Sequence, residues 1–343
     1  MEHAASGKAA RKIELVCPAG SLPALRAAVD NGADAVYIGF RDGLNARNFR
    51  GLNFDWPDAQ EGIAYAHSRG ARLFVALNVY PRPEQWLAAT QAVDRAAALG
   101  ADAVILADIG LMRYAATRHP SLRVHLSVQG SATNRHALEF YRRELGVRRA
   151  VLPRVLSVAQ VRRIVAQSEL EIEVFGFGSL CVMAEGRCAL SSYVTGRSPN
   201  THGVCSPASA VRWEETPQGR DARLGSVLID RYAHGEPAGY PTLCKGRFEV
   251  NGKTAYAIEE PVSLNVLEIL PELVAAGVSA IKIEGRQRSP AYVAQATRAM
   301  RAALDACLAN PAAYTPPAAS MLALERLAEG RTHTLGAYHR PWQ

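Results

Sequence analysis

Four cysteines lie in or beside one glycine- and serine-rich segment of the chain. Cys181, Cys188 and Cys205 are separated by six and then sixteen residues, and Cys244, in "YPTLCKGR", follows after a further 38. Such a polar segment offers thiols little core in which to be buried, and thiolates are ligands of zinc and of iron–sulfur clusters. The four side chains therefore predict a metal centre.

The spacing alone leaves the identity of the bound group open. Structural zinc sites usually present close pairs such as C-x2-C, and His202 is an alternative zinc ligand here. The gaps also match none of the common ferredoxin patterns. Zinc and an iron–sulfur cluster are equal alternatives on this basis, and four unrelated thiols are the third.

The two remaining cysteines have a structural explanation. Cys17 lies in an apolar run that predicts a strand, and Cys307 continues an apolar pattern with helical spacing. We expect that helix to begin after Ser289, an N-cap residue followed by Pro290, and to be the last helix of the chain. Burial in the core is the expected role of both thiols.

Known hydrolytic motifs are absent from the sequence. It contains no H-E-x-x-H zinc motif and no G-x-S-x-G nucleophile elbow. A catalytic pair of His202 and Cys205 would compete with metal binding. The sequence therefore gives peptidase activity little support, whereas a zinc-stabilised scaffold without chemistry of its own remains an alternative.

A recurring unit predicts the fold: a helix-like stretch, a glycine, then a short apolar run. The runs are nearly continuous, as expected for parallel strands buried on both faces. An α/β (β/α)8 TIM-like barrel is favoured over an open doubly wound sheet, because no dinucleotide fingerprint opens a βα turn. The eight predicted strands span residues 13–18, 35–40, 72–79, 103–108, 123–129, 149–153, 171–177 and 280–284.

An excess of residues separates the seventh and eighth predicted strands. We interpret residues 182–260 as a β-rich, cysteine-bearing cap on the carboxyl end of the barrel, where barrel enzymes place their active sites. Its clearest local signal is a hairpin with Asn251 and Gly252 at the turn. Residues 13–181 and 261–343 then form the two parts of the barrel with a C-terminal helix and tail, and residues 1–12 a disordered tail.

Bulk composition narrows the class of protein. The 343 residues are 48% hydrophobic, with a formal net charge of +7 and 7% aromatic residues. The basic residues are scattered, so we expect a solvated basic surface and no nucleic-acid partner. No apolar stretch is long enough for a membrane span, and the N-terminus lacks the pattern of a signal peptide. We expect a cytoplasmic protein that is not integral to a membrane.

Three segments carry a resemblance to a known family. The stretch "EVFGFGSLCVMAEGRCALSSYVTGRSPNTHGVCSP", together with "YPTLCKGR" and "IKIEGRQRSPAYV", resembles the collagenase-like U-type peptidase family. The similarity extends over nearly the whole chain. Many members have Val-His-Gly before the first cysteine, whereas residues 175–178 here are Phe-Gly-Phe-Gly, which points to the ubiquinone-biosynthesis branch.

The resemblance implies a cofactor, a reaction and partners. It implies a [4Fe–4S] cluster bound by Cys181, Cys188, Cys205 and Cys244. It further implies oxygen-independent hydroxylation of ubiquinone precursors, in a heterodimer with the paralogous subunit UbiV and with the lipid-binding accessory protein UbiT. Other members hydroxylate transfer or ribosomal RNA, which is the alternative function, and prephenate is the implied hydroxyl donor.

Candidate substrate-binding or catalytic residues follow from the chemistry of prephenate. Its two carboxylates suit arginine forks, and its hydroxyl suits polar side chains at strand ends. Glu284 is a candidate acid or base, or an ion-pair partner of Arg286. The candidate arginines are Arg47, Arg154 and Arg286. The polar candidates are Asn45, Asn78, Asp108, Gln129 and Asn134.

Overall fold

The computed structural model describes residues 13–49 and 51–340, and the tail predicted for residues 1–12 lies outside these ranges. The strands are β1 (Glu14–Pro18), β2 (Ala35–Ile38), β3 (Arg72–Leu77), β4 (Ala103–Leu106), β5 (Arg123–Leu126), β6 (Val147–Val151), β7 (Glu171–Ser179), β8 (Val211–Thr216), β9 (Gly219–Leu224), β10 (Val227–Tyr232), β11 (Arg247–Val250), β12 (Lys253–Tyr256), β13 (Ser263–Asn265), β14 (Ala280–Ile283) and β15 (His333–Thr334). The α-helices are α1 (Leu22–Asp30), α2 (Trp56–His67), α3 (Trp86–Leu99), α4 (Ile109–Arg118), α5 (Arg135–Leu145), α6 (Val158–Gln167), α7 (Leu190–Thr195), α8 (Pro199–His202), α9 (Leu270–Ala276), α10 (Pro290–Ala309) and α11 (Ala318–Leu327).

Eight parallel strands close into a barrel. Strands β1 to β7 pair with their neighbours in chain order, and β14 pairs in parallel with both β1 and β7. This closure confirms the predicted (β/α)8 barrel and excludes the open sheet. The ends differ from the predicted spans by a few residues. For example, β5 ends at Leu126 because Val128–Gly130 turn into a short 3-10 helix.

The helices that cover the barrel end where the sequence predicts. Gly100 follows α3 with φ of 79°, and Gly277 follows α9 with φ of 80°, the left-handed conformation that glycine adopts without strain. Helix α10 begins after Ser289, whose side chain accepts a hydrogen bond from the Tyr292 amide. The expectation that this is the last helix is wrong, because the alanine-rich helix α11 follows it.

The core has two layers. The larger layer lies between the strands and the helices, and it includes Cys17 and Cys307, both fully buried as predicted. The smaller layer fills the barrel interior with side chains such as Tyr37 and Phe74. The interior also holds the charged side chains of Arg149 and Lys282, which lie over the rings of Phe74 and Tyr37.

The cap lies between β7 and β13. It contains a three-stranded antiparallel sheet in the order β10-β9-β8 and the separate hairpin β11–β12. Asn251 and Gly252 form the hairpin turn with φ of 53° and 73°, which confirms the predicted turn. After the cap, β13 returns antiparallel to β7. The residue limits assigned to the barrel parts and the cap remain predictions.

No helix in the described ranges is both long and apolar enough to cross a membrane.

Candidate functional site

Four cysteine thiols from three loops lie near one another beyond the carboxyl end of β7. Cys181 follows β7, Cys188 precedes α7, Cys205 follows α8, and Cys244 lies in a short 3-10 turn before β11. All four are free thiols and partly buried. Burial is the largest cause that raises the pKa of Cys244 to about 12, and the nearby Cys205 and Cys181 thiols contribute to the same rise. Each of the four thiols lies near at least one of the others, and we call the four the thiol cluster.

The donor set of the thiol cluster fits an iron–sulfur group. Cys181 and Cys188 come from one loop, Cys205 and Cys244 come from two others, and four thiolates are the usual ligands of a [4Fe–4S] cluster. Burial is the main influence on Cys205 and raises its pKa. The positive charge of the Arg47 guanidinium is the next largest influence and lowers this pKa. Among the described residues, no three Cys, His, Asp or Glu side chains are grouped so as to hold a single metal ion.

Backbone contacts fix the cysteine loops against the barrel loops. The Arg47 amide donates to the Gly203 carbonyl over 2.7 Å, and within the cap the Asn200 side chain donates to the Cys188 carbonyl over 3.2 Å. At Gly186 a Cβ atom would lie 1.9 Å from the Gln129 carbonyl oxygen. Glycine is therefore required at position 186 for the loop between the first two cysteines to approach the end of β5 so closely.

Glu284 is an ionised carboxylate held by Arg47. Its Oε1 accepts from Arg47 Nε over 2.9 Å, and its Oε2 accepts from the Ser179 amide over 3.3 Å. Burial alone would raise the pKa of Glu284, but the charges of Arg47, Arg154 and Arg288 lower it to about 2. At neutral pH this carboxyl has no proton to donate. Of the two alternatives for Glu284, the ion pair with Arg286 is not found among the described residues, because Glu284 pairs with Arg47.

Arg154 links the barrel to the loop between Cys181 and Cys188. Its guanidinium lies 4.1 Å from the centroid of the Phe175 ring, donates to the Ser179 carbonyl, and pairs with Glu185 over 2.7 Å. Both partners in this ion pair are buried. Glu185 could not be predicted from the sequence, because nothing in the local pattern connects it with an arginine 31 residues earlier.

The remaining polar candidates have positioning or capping roles. Asn78 accepts from the Ala46 amide over 2.9 Å and donates to Ser127 Oγ over 3.0 Å, so it fixes the loop that carries Arg47. Gln129 contributes through its backbone: its carbonyl accepts a hydrogen bond from the Tyr80 hydroxyl over 2.6 Å. Two candidates cap the helices that follow them: Asn134 caps α5, and Asp108 caps α4.

Glu329, which is not among the residues predicted for the site, ties the Cys244 turn to the C-terminal segment. Its carboxylate binds Lys245 Nζ, Arg288 over 2.8 Å and the Ser179 hydroxyl over 2.5 Å. No sequence signal marks it, because it lies far along the chain from each partner.

Replacing Glu329 with Gln should shorten the lifetime of a bound cluster in air several-fold. The change removes the charge that holds Lys245 beside Cys244, and hydrogen bonds to charged groups stabilise by about 1.5–3 kcal/mol. The decay of visible absorbance after exposure to air measures this lifetime. Glu325→Gln, at an exposed position on α11, is the matched control. Equal decay in the two variants would contradict a role for Glu329.

Comparison with known proteins gives a consistent assignment. The family model described as Peptidase family U32 matches residues 20–340. The chain is 33% identical to tRNA hydroxylation protein P of Escherichia coli (strain K12), covering 96% of this chain and 75% of that protein. It is 30% identical to tRNA hydroxylation protein P1 of Bacillus subtilis (strain 168), covering 88% of this chain and 65% of that protein.

A third relative is longer. The chain is 30% identical to the 23S rRNA 5-hydroxycytidine synthase of Escherichia coli (strain K12), with 87% of this chain and 40% of that protein aligned. The family match extends over nearly the whole barrel and its cap, and it confirms the resemblance carried by the cysteine segments. The chain belongs to peptidase family U32.

Proposed function

We propose that this protein is the iron–sulfur subunit of an oxygen-independent hydroxylase that acts on ubiquinone precursors in the cytoplasm. The observation that carries the proposal is the thiol cluster, set beside Arg47, Arg154 and Glu284 at the carboxyl end of the barrel. Relatives named for hydroxylation of tRNA and rRNA support the reaction class. The peptidase name of the family has less support, since in the described residues His202 makes no hydrogen bond to Cys205.

A [4Fe–4S] cluster held by Cys181, Cys188, Cys205 and Cys244 would supply electron transfer at this site. Four protein thiolates would occupy one coordination position on each iron. The guanidinium groups of Arg47 and Arg154 lie close enough to lower the pKa of Cys205, and they would offset part of the negative charge of the thiolates. Glu284 keeps Arg47 in place by its ion pair.

Two observations favour a quinone precursor as substrate. The first is the resemblance of the cysteine segments to the ubiquinone-biosynthesis branch. The second is an exposed apolar group beside the barrel mouth, formed by Trp86, Leu87 and Ile109, which are 41%, 69% and 50% exposed. Trp86 and Ile109 are the first residues of α3 and α4. An apolar surface at this end suits an isoprenoid ring compound. Prephenate as hydroxyl donor, UbiV as partner subunit and UbiT as lipid carrier complete the proposal.

The relatives' names favour RNA hydroxylation as a second function, and one experiment separates the two. Cells grown without oxygen, with either the wild type or the Cys181→Ala, Cys244→Ala double variant as their only copy, are analysed by mass spectrometry. Quinone intermediates and RNA nucleosides are measured from the same culture. Our proposal expects an unhydroxylated quinone precursor to accumulate in the variant, with RNA unchanged. Loss of a hydroxylated nucleoside with normal quinones would establish the second function instead.

A further inference from the structure

Strand β8 is an open edge of the cap. It lies last in the three-stranded sheet of order β10-β9-β8 and pairs only with β9 within the described ranges. Residues 212–215, in the middle of the strand, are all exposed, and Trp213 is 42% exposed. An exposed edge strand presents backbone N–H and C=O groups that can pair with a strand of another chain.

The pairing of β8 with β9 determines which backbone groups of the edge are free. Thr216 and Gly219 face each other across a two-residue turn, so they form a hydrogen-bonded pair of the antiparallel ladder. The ladder alternates from there, and every second residue of β8 directs its backbone groups away from β9. In the described part of the chain these outward groups have no backbone partner, and they belong to Val211, Trp213 and Glu215.

The side chains of Arg212 and Glu214 give the edge a pattern of opposite charges on one face, on either side of Trp213. Arg212 donates to the Gly225 carbonyl over 2.7 Å but has no carboxylate partner among the described residues. Glu214 accepts from Arg223 over 3.0 Å through one of its two carboxylate oxygens. The other arginines of this sheet all pair with a carboxylate of the sheet: Arg220, Arg223 and Arg231.

We propose that two copies of this chain pair edge to edge through β8, antiparallel and around a two-fold axis at Trp213. Outward-facing residues pair with one another, so Trp213 lies opposite Trp213 of the second copy, and Arg212 lies opposite Glu214 of the second copy. The two-fold axis makes this ion pair occur twice. The Trp213 rings, each 6.4 Å from the Tyr232 ring of its own chain, come together on the other face.

The charges of β8 favour this register over the neighbouring ones. A shift of two residues in one direction places Arg212 opposite Arg212 of the second copy, and a shift in the other direction does the same with Glu214. Like charges directly opposite each other destabilise a strand pair. A shift of one residue would place outward-facing residues opposite inward-facing ones. The edge is therefore complementary to itself in one register, and a second copy is the partner that its charges fit.

Charge reversal at the two positions tests the pairing. The full-length wild type is analysed by sedimentation over a range of concentrations, and we expect a reversible equilibrium between monomer and dimer. Arg212→Glu or Glu214→Arg alone should weaken the dimer at least about tenfold, because each change turns both ion pairs into like-charge pairs. An equimolar mixture of the two variants should recover the dimer, since all opposed charges in the mixed pair again have opposite signs.

Two controls make the same changes of charge away from the edge. Arg162→Glu on α6 and Glu249→Arg on β11 alter exposed residues and should leave the dimer unchanged. Hydrogen exchange of the wild type is a second readout, which decides the question even where a variant does not fold. The outward-facing amides of β8 should exchange more slowly as the protein concentration rises.

Three results would overturn the proposal: a wild type that stays monomeric, a dimer that survives both reversals, or a mixture of the variants that stays monomeric. The paralogous subunit UbiV is the alternative occupant. A monomeric wild type whose two variants lose binding of that subunit would assign the edge to it instead. Pairing of β8 requires neither the cluster nor a substrate, so this test is independent of the proposed function.

Discussion

Replacing Cys181 and Cys244 together with alanine is expected to remove the bound iron and sulfide from the protein. The wild type, purified without oxygen, should be brown and contain about four irons and four sulfides per chain. The double variant should be colourless, because it lacks two of the four thiolates that would hold the proposed cluster. Visible absorption with iron, sulfide and zinc analysis measures both proteins. We expect the largest change in activity from these two substitutions.

Cys307→Ala is the matched control for the loss of thiols. Cys307 is fully buried in α10, away from the cysteine loops, so its removal should lower stability modestly and leave the iron content unchanged. A colourless wild type with one zinc per chain would contradict the prediction. It would indicate a structural zinc site, and the hydroxylase proposal would lose its main support.

The barrel could be predicted from the sequence because its signals are local. A parallel strand buried on both faces is a short apolar run, and the glycine before it ends the preceding helix. The sequence patterns that predict strands are weaker in the cap than in the barrel. The Asn251-Gly252 turn marks its hairpin, whereas β8 is polar and mostly exposed, without the alternation that identifies a strand. Helix α11 was missed for a similar reason, since few of its residues are buried.

The site could be predicted only where residue type carries the chemistry. Cysteines in a polar segment indicate a metal centre by themselves, but ion pairs depend on how distant loops meet. Arg47 and Glu284, which are 237 residues apart, illustrate this. For Asn134 and Asp108, the sequence does not distinguish a site residue from a helix cap. A polar residue just after a barrel strand lies at the functional end of the barrel, but it also lies where the next helix needs its N-cap.

A charged network in the barrel interior carries the second large prediction. Arg149 is 1% exposed and binds Glu14 and Glu171, each over 2.8 Å, and Glu173 over 3.3 Å. Burial alone would raise the pKa of Glu173, but Lys282 and Arg149 lower it below its ordinary value of 4.5. A lowered carboxyl pKa stabilises the fold above the unfolded-state pKa. The wild type should therefore lose this stabilisation as the pH falls below about 4.5.

Arg149→Met should reduce the free energy of unfolding by about 3–5 kcal/mol, because it removes one of the two cations that hold the buried Glu173 carboxylate, together with a partner of the partly exposed Glu14 and Glu171 carboxylates. Denaturant unfolding near neutral pH measures this loss. Arg123→Met is the control, since Arg123 also pairs with Glu171 but its side chain is 39% exposed, and its loss should cost less than about 1 kcal/mol. The free energy of unfolding of Arg149→Met should also fall less than that of the wild type between neutral and acid pH. Without Arg149 the ionised carboxylates stabilise the fold less, so their protonation removes less. Similar losses in the two variants would show that the buried network does not stabilise this barrel.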